Sequence, residues 1–538
     1  MWDKGWRDQA WSSINRHWDI IIIGGGITGA GILREAARLG LRVLLVEGQD
    51  FASGTSSRSS KLVHGGLRYL QTAQIRLIYD SVRERERLLR EGRGLVIPLG
   101  FLMANYRKDR TPAWIFGAAL GLYDLLAFKW GHRHYDAFDM RELCPLLNEQ
   151  GLLGGYRYFD AQTDDARLVL RLIEEACQDG GVAINYALAT TLLSLDSGQV
   201  CGIVLQDQTP GSSRTAEVLA SVVVNATGAW ADELRAQVSG RARLRRLRGS
   251  HLVFPYHRLP LTRAVSLLHP KDGRPVFALP WEGATIVGTT DVDHDLPLET
   301  EPTISPAEVE YLMELVQWGF PTQELAYPDV LATFSGLRPV IHTGKADPSK
   351  ESREHVLWCE NGLLTVAGGK LTTFRLMAWD ALKAACARLA NGADLLSQAG
   401  NHLRILNALP DDANPVLPPL NAKADLNPAS RQRLLGRYGN NAPAILASAA
   451  RSELELIPGT LFRWAELRWA ACAEAVVHLD DLLLRRLRLG LLLPEGGLLC
   501  VDRIRSIVQL ELGWDDMRWE QELATYTDLW NRCYRLNY

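Results

Sequence analysis

The sequence predicts an α/β protein: a Rossmann-like dinucleotide-binding domain, a mixed-sheet layer interleaved with it, and a helical C-terminal domain. Three observations predict this. A β-branched run from Asp19 to Ile23 stops abruptly at the glycine run Gly24–Gly29. Buried-strand patterns return far downstream, at Val222–Asn225 and Leu363–Ala367. A proline-rich stretch then separates these strands from a tail of helix-forming composition.

Taken in order, residues 1–18 form an N-terminal extension in which Trp2, Trp6, Trp11 and Trp18 stand among charges, with no apolar core of a secretory leader. Asp19 to Ile23 reads as a buried strand, and Thr28 to Leu39 has helical spacing with Gly40 just past its end. Arg42 to Val46 is a second strand, closed by Glu47, and the three segments make a βαβ unit. Further strands are expected at Val182–Tyr186, Val222–Asn225 and Leu363–Ala367. The region 19–400 thus leaves the nucleotide fold and returns to it, with segments of about 95–160 and 244–333 inserted as a substrate-covering layer. Pro410, Pro415, Pro418, Pro419 and Pro428 mark 401–430 as a linker. Residues 431–538, led by Leu461–Leu489, are expected to be a helical domain.

Length and composition agree, since 538 residues exceed one typical core. With 47% hydrophobic residues, 22% charged and a net charge of -3, the chain is neither disordered nor built for nucleic acid. Its eight cysteines lack CxxC spacing and make no metal pattern with histidine, so buried reduced thiols are expected. Two arginine clusters, Arg241–Arg248 and Arg485–Arg488, are read first as solvated faces, with an anionic ligand or acidic lipid as alternatives. Trp114–Trp130 is apolar but interrupted by Asp124 and Lys129; composition favours a buried helix over one lying in a membrane surface.

Gly24, Gly26 and Gly29 satisfy G-x-G-x-x-G between a strand and a helix. The first permits the tight turn, the second admits pyrophosphate, and the third lets helix and strand pack closely. Ile27 and Thr28 open the helix whose N–H groups and dipole face the phosphates. Glu47 is placed to accept ribose hydroxyls, which argues against a 2′-phosphate; these residues alone leave FAD and NAD both open.

Further motifs follow: SGTSSRSSKLVHGGLRYL at Ser53–Leu70, DDARLVL at Asp164–Leu170, NATGAW at Asn225–Trp230 and RGSH at Arg248–His251. GTTDV at Gly288–Val292, SGLRP at Ser335–Pro339 and GGKLTTFR at Gly368–Arg375 complete the series. With the glycine run, they make the chain resemble the FAD-dependent glycerol-3-phosphate dehydrogenase family over nearly its whole length. HGGLRYL and GGKLTT are the specific matches, whereas GTTD and ATG recur among amine- and hydroxyl-oxidising flavoproteins. Three features depart from the pattern: the tryptophan-rich extension, Arg58 in the Ser-rich loop, and Arg248 where lysine is usual.

The resemblance implies FAD as cofactor and oxidation of sn-glycerol 3-phosphate to dihydroxyacetone phosphate. It also implies a homodimer-capable enzyme, with electrons passed to ubiquinone or menaquinone at the inner, cytoplasmic face of the cell membrane, where the protein is peripheral. By motif position, His251 ranks above His64 as base, and His64 and Gly65 lie against the flavin. Arg68, Arg338 and Lys370, with Arg353 in addition, are the cations for a phosphate dianion, and Tyr69 and Thr372 the hydroxyl donors. Thr55 and Ser56, Ala226, Thr227 and Gly228, and Gly369, Lys370, Leu371 and Thr372 complete the flavin contacts. No metal is expected. The alternatives are a soluble glycerol-3-phosphate oxidase using O₂, a related amine or amino-acid oxidase, and a fold that holds FAD without catalysis.

Overall fold

The computed structural model describes residues 2–66, 75–109, 112–127, 130–344, 351, 354–398, 404–407 and 426–537. Arg68, Tyr69, Arg353 and most of the expected linker lie outside the described residues.

The nucleotide sheet has Trp18–Ile23 near its centre, paired in parallel with Val43–Val46 on one side and Thr215–Asn225 on the other. Leu363–Gly368 joins beyond Thr215–Asn225 and Val182–Ile184 beyond Val43–Val46, both parallel. His355–Glu360 closes one edge antiparallel. These strands are continuous apolar runs because both faces are covered: Ile27–Arg38, Asp165–Gln178 and Phe374–Cys386 pack on one, and Trp11, Ile14 and the strands Ala187–Ser194 and Val200–Asp207 on the other. An antiparallel ribbon, Ala187–Ser194 with Val200–Asp207, extends from the first half of Thr215–Asn225.

Among the described residues, both inserted segments enter one second sheet of ten strands. Its order runs Val292–Asp293, Leu244–Pro255, Ala284–Gly288, Pro275–Trp281, Ala264–Leu268, Val96–Tyr106, Leu152–Thr163 and Leu62–Val63, with Arg133–Asp136 also paired to Leu152–Thr163 and Ala332–Ile341 to Leu244–Pro255. The layer reaches beyond the expected end near 333, because Ala332–Ile341 pairs along Leu244–Pro255. The strand carrying SGLRP therefore belongs to the second sheet, where its alternating polar residues do not resemble the nucleotide strands.

The tryptophan-rich extension is docked. Trp2 donates to the Ala183 carbonyl (3.3 Å) and its ring lies 5.3 Å from Phe51, while Arg7 donates to the Asn185 and Tyr186 carbonyls and pairs with Asp207 at 3.1 Å. It lies over the Val182–Ile184 edge, which would otherwise be an open template for pairing.

The helix Ala113–Ala127 corrects the composition reading. Leu120, Tyr123 and Asp124 face inward, but Trp114 is 71% exposed, Leu125 62% and Trp130 75%. Composition counts apolar residues without knowing how many faces neighbours cover. Among the described residues no helix is long and apolar enough to cross a membrane.

The C-terminal region is helical, with Pro428–Tyr438, Trp464–Ala473, Val501–Leu512 and Asp516–Cys533 as its main helices. It is joined to the nucleotide fold by the residues expected to be a solvated arginine face. Arg485, Arg486 and Arg488 are buried. Arg485 and Arg486 grip Asp50 at 2.5 and 2.6 Å, and Arg488 holds Asp164 at 2.9 Å and Asp165 at 2.5 Å. A run such as DDLLLRR cannot disclose that its charges meet acids more than 300 positions away. The other cluster is also engaged, Arg245 with Asp293 and Arg248 with Glu308.

Burial alone would raise the Asp50 carboxyl, but the guanidiniums of Arg486 and Arg485 override it and hold it below its ordinary value of 3.8. A depressed acid stabilises the fold fully above its ordinary value and loses the contribution as pH falls from there through the folded-state value of about 2. Asp50→Asn should therefore cost about 3 kcal/mol at pH 7, as breaking a buried pair does. In urea unfolding, the gap from the parent protein should narrow below pH 4; a constant gap would refute the account.

Candidate active site

Parallel pairing gathers the carboxyl ends of four strands on one edge, where open α/β sheets bind ligands. Gly24 follows the first, Glu47 ends the second, Ala226–Gly228 follows Thr215–Asn225, and Gly369 follows Leu363–Gly368. Gly24 sits at φ +114° with the Ala226 carbonyl oxygen 2.6 Å from where a Cβ would stand. A Cβ on Gly29 would overlap the Gly24 carbonyl. The helix Ile27–Arg38 begins at Gly26 with no acid in its first turn. Its Ile27 N–H donates to Ser56 Oγ at 2.9 Å. Thr28 lies in the same opening turn.

The Glu47 carboxylate accepts the N–H groups of Gly25 (2.6 Å) and Gln49 (2.9 Å); burial pushes its proton affinity up while these donors pull it down. Asn225 shapes the adjoining turn by accepting both the N–H and the hydroxyl of Thr227, at 3.2 and 2.7 Å. A side-chain-free turn, a helix N-terminus and a carboxylate at the second strand fit the pyrophosphate and ribose of FAD.

The second sheet supplies the opposite wall. His251, on Leu244–Pro255, is buried and stacks on Phe334 with centroids 4.5 Å apart and rings 10° from parallel. Its Nε2 lies 2.9 Å from Ser60 Oγ, and among the described residues its buried Nδ1 has no hydrogen-bond partner. Burial, then the charges of Arg338 and Lys61, hold His251 far below the usual imidazole value, so the ring is neutral near pH 7. Arg338 is held by Asp291 (3.0 Å) and Thr289 Oγ1 (2.6 Å), with its side chain 21% exposed.

Other expected residues have different partners. Thr55 donates to the Leu337 carbonyl, tying the Ser-rich loop to the strand of Arg338. Thr372 is buried, and its hydroxyl accepts the His64 N–H and donates to the His64 carbonyl, both at 3.1 Å. That hydroxyl fixes the loop rather than standing free for a substrate, because the Leu371–Thr373 turn packs it against the backbone. Lys370 Nζ lies 3.4 Å from Ser81 Oγ. Arg58, the departure within the loop, pairs with Glu301 at 2.5 Å.

Sequence reasoning missed Ser60 and Lys61, although both lie inside the quoted Ser-rich motif. Lys61 is buried, 2.8 Å from Asp165, and donates to the Ser57 carbonyl. Burial drives its proton affinity down to about 8, against the pull of Asp165. Asp165 also accepts the N–H and hydroxyl of Ser59, at 3.0 and 2.7 Å. The double acid opening DDARLVL was the available signal, since one carboxylate suffices for a cap; Asp164 accepts the Arg167 N–H and leaves Asp165 for the loop.

The family model "FAD dependent oxidoreductase" matches residues 19–375, and "C-terminal domain of alpha-glycerophosphate oxidase" matches 407–519. Glycerol-3-phosphate dehydrogenase 2 of Mycobacterium tuberculosis is 36% identical over 539 residues, covering 97% of this chain and 89% of that protein. The chain belongs to the FAD-dependent glycerol-3-phosphate dehydrogenase family. The aerobic glycerol-3-phosphate dehydrogenase of Staphylococcus aureus is 34% identical, covering 88% of this chain and 87% of its own length. The crystal structure of glycerol-3-phosphate dehydrogenase from Bacillus halodurans complexed with FAD superposes with a TM-score of 0.74 at 27% identity, over 98% of both chains. An L-α-glycerophosphate oxidase from Mycoplasma pneumoniae with FAD bound shares the fold, at a TM-score of 0.56 and 18% identity over 69% of this chain. The cofactor of this family member is FAD.

Two outcomes follow from this geometry. Gly29→Ala should yield folded protein lacking the yellow flavin absorbance, because the added methyl opens the helix–turn contact. The pH profile of kcat/KM should show no inflection near 6.5 from His251, which stays unprotonated there. A clear limb at that pH, abolished in His251→Ala, would contradict the neutral assignment.

Proposed function

We propose that the protein oxidises sn-glycerol 3-phosphate to dihydroxyacetone phosphate and passes the electrons to a membrane quinone. The observation that carries this reading is a neutral, buried histidine beside a half-buried arginine, opposite the nucleotide edge, in a chain matched along its length by glycerol-3-phosphate dehydrogenases. Bound FAD supplies the two-electron acceptor for the hydride leaving the substrate's secondary carbon. His251, neutral and with its Nε2 2.9 Å from Ser60 Oγ, is the group that takes the hydroxyl proton. Arg338 offers its guanidinium to the phosphate, and Asp291 fixes its direction while neutralising part of its charge. Arg68, Tyr69 and Arg353 remain assigned to the same anion by their motifs, and Lys370 by GGKLTT.

The quinone reading is supported by the exposed apolar surface of Trp114, Ile115, Leu125, Trp130 and Phe159, which suits a peripheral, inner-face membrane contact. Buried Arg485–Arg488 no longer supports that contact, since acids within the protein already neutralise it.

Anaerobic titration with glycerol 3-phosphate should bleach the flavin at one equivalent. Arg338→Ala should lower kcat/KM for glycerol 3-phosphate by about 2 kcal/mol, near thirtyfold, while barely changing the slow turnover of glycerol. Equal losses on both substrates would sink the phosphate role. In vesicle co-sedimentation, a Trp114→Ser, Trp130→Ser double variant should bind at least tenfold more weakly. Peroxide formation outpacing quinone reduction would instead favour the oxidase reading.

A further inference from the structure

The His64–Gly65 turn is held from two sides. Thr372 grips the His64 peptide groups, as described above. On the other side is a cluster that no motif announces. The Gly65 N–H points at Tyr123 Oη (3.0 Å) and Asp160 Oδ1 (3.2 Å), and the Tyr123 hydroxyl donates to the same Asp160 oxygen at 2.7 Å. Arg85 donates to that oxygen at 2.6 Å and to the phenol oxygen at 2.7 Å. Tyr123, Asp160 and Arg85 are all buried.

Nothing else fits there. A Cβ on Gly65 would overlap the Tyr123 hydroxyl and stand 2.6 Å from Val82 Cγ2. Burial, then the Asp160 charge, keep the phenol neutral, so it remains both donor and acceptor. A charge pair closed by a phenol and seated on one backbone N–H is more than the core requires at that position. An apolar ring would fill the same volume without desolvating a carboxylate. Arg85 comes from the helix Ile75–Glu91, Asp160 from the second sheet, and Tyr123 from Ala113–Ala127. Three elements therefore converge on one peptide group.

We propose that Tyr123, with Asp160 and Arg85, is a positioning residue that fixes the His64–Gly65 turn against the flavin and the substrate. The inference rests on the reading of that turn as part of the active site. Tyr123 also belongs to the helix whose outer face carries Trp114 and Leu125, so the helix seat and the turn are mechanically one unit.

The test uses full-length, flavin-loaded protein. Tyr123→Phe keeps the ring and removes the oxygen that both accepts from Gly65 and donates to Asp160. Amide hydrogen exchange in peptides containing Gly65 should accelerate about tenfold, with the ratio of FAD to protein unchanged. The apparent dissociation constant for glycerol 3-phosphate, from the substrate dependence of flavin reduction, should rise by a similar factor. Val82→Ala, which deletes packing against the same glycine but no hydrogen bond, should lower thermal stability and leave that constant within twofold. Unchanged exchange at Gly65 in Tyr123→Phe overturns the proposal, as does a substrate effect equal to that of Val82→Ala. Exchange is read without substrate, so it decides the positioning role even if glycerol 3-phosphate fails to bleach the parent protein's flavin, a result that overturns only the proposed reaction.

Discussion

Asp50, Asp164 and Asp165 carry negative charge into the interior of the nucleotide fold, and Arg485, Arg486 and Arg488 of the C-terminal region arrive to meet it. Asp165 also has Lys61 within the nucleotide fold, but Asp50 and Asp164 are paired by arginines of the C-terminal region. An unpaired ion in that interior costs several kcal/mol, so the two regions are interdependent rather than merely adjacent. Further pairs reinforce the junction: Arg437 on Asp164 at 2.9 Å, and Arg167 with Glu474 at 2.6 Å. Once the junction closes, each carboxylate has its direction fixed by at least one guanidinium.

That fixed direction reaches the chemistry. Asp165 is shared between Arg488 and the Ser-rich loop, binding Lys61 Nζ and both donors of Ser59. Arg488 also donates to the Ser57 carbonyl at 3.2 Å. The next residue along, Ser60, meets His251. A helical domain that contributes none of the motif residues thus sets the loop that meets His251. Lys61, buried by the same packing, helps keep His251 neutral. Side chains held by neighbours whose own rotamers are locked are what precise positioning requires.

The parallel sheet was legible because its strands are buried on both faces, and continuous apolar runs such as Ile20–Ile23 are conspicuous. The interleaved layer was legible only as an interruption. Its strands are half-exposed, its partners lie far apart in sequence, and Ala332–Ile341 carries it past the expected end near 333. The helix Ala113–Ala127 shows the same limit, since its residues say that it is apolar but not which side is covered.

By itself, the sequence determined the glycine turn, the acid at Glu47, the return of the chain at Gly368–Gly369 and the family to which these belong. Each is a local matter: a backbone without side chains, a carboxylate at a strand end, a motif of fixed spacing. Only the tertiary structure decided what the charges do. Arg485–Arg488 became a buried junction, Thr372 a clamp on His64, and Tyr123 with Asp160 and Arg85 a seat for Gly65. The reason is physical: the energy of a charge or a polar hydrogen depends on its partners and on the water they exclude. Those partners come from distant parts of the chain, where no local pattern records them.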